Sequence, residues 1–164
     1  EERGKGIDIG EQFLVNVFRG YRKRIFDTIE REMRKETCSS TSYFNSDGVS
    51  FLNNLSFRGD DFDTLIVKAI GYSMVVNEAN AKMTQPILAA PTAGACGIVP
   101  GVLKAIDEKL VSKGIEEDVR ERVEVEAMIV GALIGLVIAN TVPTAGATHG
   151  CQAEVGTGGA MAAS

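Results

Sequence analysis

The sequence predicts an all-α protein, a helical domain with glycine-rich loops at helix N-termini. Most long segments repeat apolar residues every three or four positions or are apolar on all sides. No run alternates apolar and polar residues between hairpin turns, as exposed strands do. Ten of the 18 glycines cluster at 94–101, 131–135 and 146–159, where the backbone is expected to turn or to approach a neighbour closely.

Size and charge indicate a single globular domain. The chain has 164 residues, of which 45% are hydrophobic and 24% charged, and both fractions are typical of folded proteins. The net charge is -5, and the basic residues of 19–35 are interleaved with glutamates. Nucleic-acid surfaces are usually unmixed, so these charges predict a solvated helix face and no nucleic-acid partner.

The cysteines and the N-terminus predict a cytoplasmic protein. Three scattered cysteines, Cys38, Cys96 and Cys151, make a poor disulfide framework and fit a reducing compartment. No secretory signal opens the chain. Because it begins at Glu1 without methionine, we expect a processed chain or a piece of a longer one.

The N-terminal part, 8–60, is predicted to be one helix followed by a loop. Apolar residues recur at helical spacing over 11–36, with Gly20 as a possible break. The stretch 38–59 is rich in Ser, Thr, Asn, Asp and Gly and predicts a loop.

The core, 61–164, is predicted to hold four further helices. Asp60, Asp61 and Asp63 suit the start of a helix that runs to about Met83, apolar on most sides and therefore central. Its polar residues near the end are either a solvated last turn or include one that points into a site; they are Asn77, Glu78 and Asn80.

The next helix is predicted to start at Pro100, with a buried stripe of Val99, Leu103, Ile106 and Leu110, and to stop at Lys113-Gly114. A further helix begins at the acidic residues Glu116 to Asp118 and continues to about Ala139. Its segment AMIVGALIGLVIA, 127–139, is shorter than the roughly 18 residues that span a bilayer. We therefore expect a buried helix and no membrane partner. A last helix covers 152–163.

Two loops with almost the same sequence precede helices: PTAGACG at 91–97 and PTAGATHGC at 143–151. Small residues leave the unpaired N–H groups of a helix start exposed, which suits an anion such as a carboxylate. The alternative is a pair of tight turns between packed helices. Nucleotide-phosphate loops, zinc knuckles and the serine-hydrolase elbow are absent from the sequence.

The motifs APTAGACGIVPGVL (90–103) and GCQAEVG (150–156) resemble the iron–sulfur-dependent L-serine dehydratases, specifically their catalytic α subunit or α domain. The segments 69–83 and 127–140 also fit. The resemblance covers 61–164 well and 8–50 loosely. It implies conversion of L-serine to pyruvate and ammonia in amino-acid catabolism and gluconeogenesis. It also implies a 4Fe–4S cluster with one open iron acting as a Lewis acid on the substrate hydroxyl.

The resemblance assigns Cys151 as the first cluster ligand, at a helix start whose dipole favours a thiolate. Cys96 is expected to be a small buried residue and Cys38 a structural one. The family's other two cysteine ligands lie downstream of GCQAEVG, beyond Ser164. The resemblance therefore implies that 1–164 is a partial catalytic α domain that neither holds the cluster nor is active by itself.

Further roles follow from the resemblance and from the loop chemistry. The serine carboxylate is expected to bind to the loop residues Thr92, Gly94, Ala95, Thr144 and Gly146. Glu154 is a candidate for proton transfer or for orienting a hydrogen-bond donor, or else a carboxylate stabilised by the dipole of a helix start. His149 departs from the small residues usual at its position, and is either a substrate contact or a local substitution.

Two other functions stay open at this stage. One is a related iron–sulfur enzyme that acts on L-cysteine, and the other is a non-catalytic helical subunit whose loops only pack. In the family a regulatory β part accompanies the α part, so the expected partners are a β subunit or domain, or a second copy. A pyridoxal phosphate enzyme is disfavoured because no lysine lies in or beside either motif.

Overall fold

The computed structural model describes residues 2–34, 47–55, 62–83 and 86–164. Within these residues there are seven helices and no strand, so the all-α prediction is confirmed. In chain order the helices are α1 (Glu2–Arg34), α2 (Asp47–Asn53), α3 (Phe62–Ala81), α4 (Ile98–Ser112), α5 (Glu117–Thr141), α6 (Gly146–His149) and α7 (Cys151–Ala163).

Helix α1 is continuous and does not break at Gly20. A Cβ added at Gly20 would meet no other atom, so the residue lies on an open face where glycine costs only about 1 kcal/mol. Among residues 10–34 of α1, the buried apolar side chains lie in the C-terminal half and are Ile25, Phe26 and Ile29. Leu14 and Tyr21 of the predicted stripe are exposed.

The predicted loop 38–59 contains helix α2, so the prediction is wrong for 47–53. Val49 is buried there, and the N–H of Gly48 donates to Glu78 Oε1 over 2.8 Å. An added Cβ at Gly48 would lie 2.6 Å from the backbone N of Val75, so α2 packs directly on α3. The prediction for Cys38, and those for Asp60 and Asp61, concern residues outside the described ranges.

Helix α3 is central, as predicted, and contacts α1, α2 and α4. Val75 and Val76 are fully buried, and Ser73 lies against two glycines of the following segment. A Cβ at Gly101 would lie 2.5 Å from Ala69 O and 2.8 Å from Ser73 N. Helix α4 can therefore lie this close to α3 only because residue 101 is a glycine.

Helix α4 begins at Ile98, so Pro100 is its third residue and not its first. Leu103 is buried, but Ile106 is exposed, because the buried face of α4 runs through Pro100, Gly101, Leu103, Ala105 and Asp107. The predicted stop is confirmed: Lys113 ends the helix and Gly114 follows with φ of 71°.

Helix α5 packs on α7 through two glycines. Added Cβ atoms at Gly131 and Gly135 would lie 2.8 Å from Met161 O and 2.7 Å from Met161 Sδ. The opposite face carries Leu133 and Val137, which are 56% and 63% exposed, so the prediction of a buried helix is wrong for this face. Among the described residues, α5 alone is long and apolar enough to cross a membrane by length and composition, a test that core helices of soluble proteins also pass.

A buried polar network joins α1, α4 and α5. Arg22 pairs with Glu124, while Asp107 accepts from Lys104 Nζ at 3.0 Å and from Arg120 Nε at 2.9 Å. Burial acts to raise the pKa of Asp107, but the hydrogen bonds from Lys104 and Arg120 outweigh it and hold the pKa below its usual value. Burial raises the pKa of Glu124, and the Arg22 pair only partly offsets this.

We predict that Asp107→Asn lowers the free energy of unfolding at pH 7 by about 3 kcal/mol, because two partly buried cations lose the buried carboxylate that they share. A carboxyl with a depressed folded pKa adds stability above its unfolded pKa, about 3.9, and that stability is lost as pH falls through the folded pKa. Urea unfolding from pH 7 to pH 2.5 should therefore show a weaker acid-dependent loss in the variant. Asp118→Asn, at the exposed start of α5, is the control and should cost less than about 1 kcal/mol. An unchanged pH profile in Asp107→Asn would contradict the assignment.

Candidate functional site

The two glycine loops lie at the starts of neighbouring helices. The first loop, 91–97, leads into α4, and the second, 143–150, contains the short helix α6 and leads into α7. Gly150 has φ of 82°, a conformation that side chains disfavour, and its N–H donates to Gly146 O over 2.9 Å. This glycine ends α6 and lets α7 begin at the next residue.

Both loops meet at one carboxylate, that of Glu154 on α7. Thr92 Oγ1 donates to Glu154 Oε2 over 2.8 Å. Cβ atoms added at Gly94 and at Gly146 would lie 2.5 Å and 2.8 Å from Glu154 Oε1. Four predicted site residues are therefore brought together, and we call this group the Glu154 junction: Thr92, Gly94, Gly146 and Glu154.

The Glu154 junction is half-buried and polar at its centre. Thr92 and Glu154 are both partly accessible, and the N–H of Ala95 donates to Thr92 Oγ1 over 3.4 Å. The Thr92 hydroxyl thus accepts from its own loop and donates to α7. The group that the loops enclose here is a carboxylate of the protein itself. Ala95 is buried, with its N–H turned toward Thr92.

Cys151 is the first residue of α7 and is a free, exposed thiol. It precedes Glu154 by three positions, which on a helix places the two Cβ atoms about 5–6 Å apart on one face. The two side chains therefore flank the same end of α7. His149 is exposed at the end of α6, with Nδ1 2.8 Å from Thr148 Oγ1. Thr144 is half-buried two residues before α6.

Cys96, in contrast, is completely buried. Its thiol donates to Asn77 Oδ1 over 2.9 Å. Burial raises the pKa of Cys96, and a hydrogen bond from Asn80 acts in the opposite direction. The residue is a small buried group within the first loop, as predicted.

The sequence did not decide whether Asn80 is solvated or contacts another part of the chain. Its Nδ2 donates to Leu88 O over 2.8 Å, and its Oδ1 accepts from Leu88 N over 3.0 Å. The polar residues at the end of α3 are therefore not a free solvated turn: one of them holds the segment that leads into the first loop. The signal in the sequence was a set of amide side chains at the end of an apolar helix.

A cavity of about 510 Å³ lies on the other side of that segment. Its walls come from α1, from 86–91, from the start of α4, from the middle of α5 and from the end of α7, with Cys96 among the lining residues. No residue of the Glu154 junction lines it. This cavity and the junction are therefore separate.

The fold and the junction together define an all-α protein in which two similar glycine loops meet at the starts of neighbouring helices. The model of the serine dehydratase alpha chain family matches residues 14–164, and the chain belongs to this family. The match includes both glycine loops and all of α3 to α7.

Several curated relatives are similar over about 99 residues. The Bacillus subtilis protein named "Probable L-serine dehydratase, alpha chain" is 41% identical over 60% of this chain and 30% of its own length. A Latilactobacillus sakei protein of the same name is 37% identical over 60% of this chain and 44% of its own. The "L-serine dehydratase, alpha chain" of Peptoniphilus asaccharolyticus is 38% identical over 60% and 31%. The matched region spans less than half the length of these relatives. No solved structure matches the chain.

We predict that Gly94→Ala displaces the Glu154 carboxylate and breaks its hydrogen bond with Thr92, since the new methyl group would lie 2.5 Å from Glu154 Oε1. The carboxylate is the flexible end of a side chain and can move, so stability should change by less than about 1 kcal/mol. The measurement is the Glu154 carboxyl ¹³C signal, together with thermal unfolding.

Gly156→Ala is the matched control, because its added methyl group would meet nothing and alanine favours a helix by up to about 1 kcal/mol. It should raise stability and leave the Glu154 signal in place. A Gly94→Ala variant with an unmoved Glu154 signal would show that the two loops do not confine this carboxylate.

Proposed function

We propose that the chain is an incomplete catalytic domain of an L-serine ammonia-lyase, which converts L-serine to pyruvate and ammonia. The observation that carries the proposal is the convergence of both glycine loops on the end of α7 where Cys151 is exposed. L-Serine as the substrate is supported by the names of the relatives. The expected partner of the loops is the amino-acid carboxylate.

The reaction removes water and then ammonia. Loss of the α-proton and of the β-hydroxyl from serine gives aminoacrylate and water, and aminoacrylate becomes an imine that water hydrolyses to pyruvate and ammonia. Thr92 and the N–H groups at the starts of α4 and α7 orient the substrate carboxylate. Glu154 holds the Thr92 hydroxyl and lies where it can accept or return a proton.

A 4Fe–4S cluster fits this site only in part. Cys151 supplies one accessible thiolate, the soft ligand that such clusters require. The described residues contain no group of three His, Cys, Asp or Glu placed to hold a metal, so further ligands come from outside them. When bound, the cluster supplies a Lewis acid for the departing hydroxyl. We propose that the chain by itself is inactive for this reason, and that it acts in the cytoplasm, where thiols stay reduced.

The test is anaerobic reconstitution with iron and sulfide, followed by absorbance and a pyruvate assay on L-serine and on L-cysteine. It compares the chain with a version extended to the end of its natural reading frame. We predict that the extended protein turns over serine, that Cys151→Ala lowers turnover at least about 10³-fold, and that Cys38→Ala does not.

Each other outcome overturns a stated part of the proposal. Retained activity in Cys151→Ala would remove this residue as a ligand. Turnover confined to cysteine would favour the related L-cysteine enzyme. An extended protein that takes up no iron would favour a non-catalytic helical subunit, whose loops only pack.

The exposed face of α5 supports the proposal that the chain works in association with further polypeptide. Val130, Leu133 and Val137 follow one another at helical steps of three and four, and they are 44%, 56% and 63% exposed. We call these three residues the α5 stripe. A stripe with this spacing is typical of a surface that packs on another helix. The occupants to be considered are the rest of the catalytic domain, a β subunit and a second copy.

We predict that the chain by itself associates through the α5 stripe. Sedimentation at about 50 µM should give dimers or larger species, and Leu133→Gln with Val137→Gln should shift them toward monomer by removing apolar contact area. Val111→Gln, at an exposed valine on α4, is the control and should leave the association unchanged. A monomeric wild-type chain with little binding of an apolar dye would argue against an association surface.

A further inference from the structure

The last two turns of α3 carry two asparagines on one side, three positions apart. Asn80 binds the backbone of Leu88 in both directions, at 2.8 Å and 3.0 Å. Asn77 accepts from the buried thiol of Cys96 at 2.9 Å. Both ends of the segment 88–96 are therefore attached to the same helix.

The segment between these attachments has little structure of its own. It lies outside any helix, and its backbone bond from Ala90 N to Thr92 O, 3.2 Å, closes only a local turn. Thr92 lies in the middle of the segment and reaches Glu154 over 2.8 Å. The position of the Thr92 hydroxyl therefore depends on where the two ends are held.

Gly97 makes the second attachment possible. A Cβ added there would lie 3.0 Å from Asn77 Nδ2 and still closer to the backbone oxygen of Ser73. Residue 97 must therefore lack a side chain, because only then can the backbone enter α4 in direct contact with the Asn77 side chain.

We propose that Asn77 and Asn80 are positioning residues of the site: they hold the first glycine loop so that the Thr92 hydroxyl meets the Glu154 carboxylate. We call the pair the asparagine clasp. The clasp acts through Thr92 and touches neither substrate nor cofactor. The identity of the ligand at this site rests on the proposed function, whereas the geometry of the clasp rests on the contacts described above.

The test measures the coupling between Thr92 and Glu154 in the folded chain. In ¹³C-glutamate-labelled protein, Thr92→Val should change the Glu154 carboxyl shift, because it removes the donated hydrogen bond. In an Asn80→Ala background the same substitution should change that shift by less than half as much. The Leu88 amide should also exchange about tenfold faster, since its acceptor is gone.

Two further variants keep the result interpretable. Asn80→Asp has the same shape and keeps an acceptor for Leu88 N–H but loses the donor to Leu88 O, so it should weaken the coupling even if Asn80→Ala does not fold. Asn54→Ala removes a comparable hydrogen bond, which the side-chain amide of Asn54 donates to Ser50 O at the end of α2. This variant should leave the coupling intact.

Full coupling in both Asn80 variants would overturn the clasp, as would an equal loss of coupling in Asn54→Ala. These readouts need neither serine nor iron. Absence of serine turnover in the extended protein would overturn the proposed function and leave the result on the clasp standing.

Discussion

The close approach of α3 and α4 is the constraint on which the site depends. Ser73 lies against the positions where Gly97 and Gly101 would carry side chains, so α4 starts directly on the surface of α3. The loop before α4 is consequently pressed onto the end of α3. There Cys96 is fully buried and its thiol donates to Asn77, while Asn80 binds the backbone of Leu88. Any side chain at 97 or 101 would separate the two helices and move Thr92 away from Glu154.

The glycines of one motif thus meet two different physical requirements. Gly97 faces backbone atoms, which have no room to move. A side chain at this position is excluded because the two helices pack too closely there. Gly94 faces the end of a glutamate side chain, which can turn aside. The same distinction separates Gly131, which lies against the backbone of Met161, from Gly146, which lies against Glu154. Glycines of the first kind hold the helices together, and those of the second kind leave room for a carboxylate.

Most of the helices could be predicted from the sequence, because periodicity and end signals are local. The Lys113-Gly114 stop and the acidic start of α5 are examples. Helix α2 was missed because its few apolar residues are surrounded by residues typical of loops, and its stability comes from packing on Val75. The exposed face of α5 was also missed, because an apolar composition does not show whether other helices of the same chain cover that face.

For the site, the repeated loops identified Thr92, Gly94 and Gly146. The convergence on Glu154 is a tertiary contact across 62 positions that no local pattern contains.

The two halves of α5 differ in how they are held, and this difference locates the uncovered surface. Its N-terminal half is fixed by charge, through Glu124 to α1 and through Arg120 to α4. Its C-terminal half is fixed by the glycine contacts with α7 on one side and carries the α5 stripe on the other. Val142, directly after α5, and Val155, on α7, are also about half exposed. Polypeptide that packed on the α5 stripe would bury apolar area that the contacts of α5 with α1, α4 and α7 leave exposed.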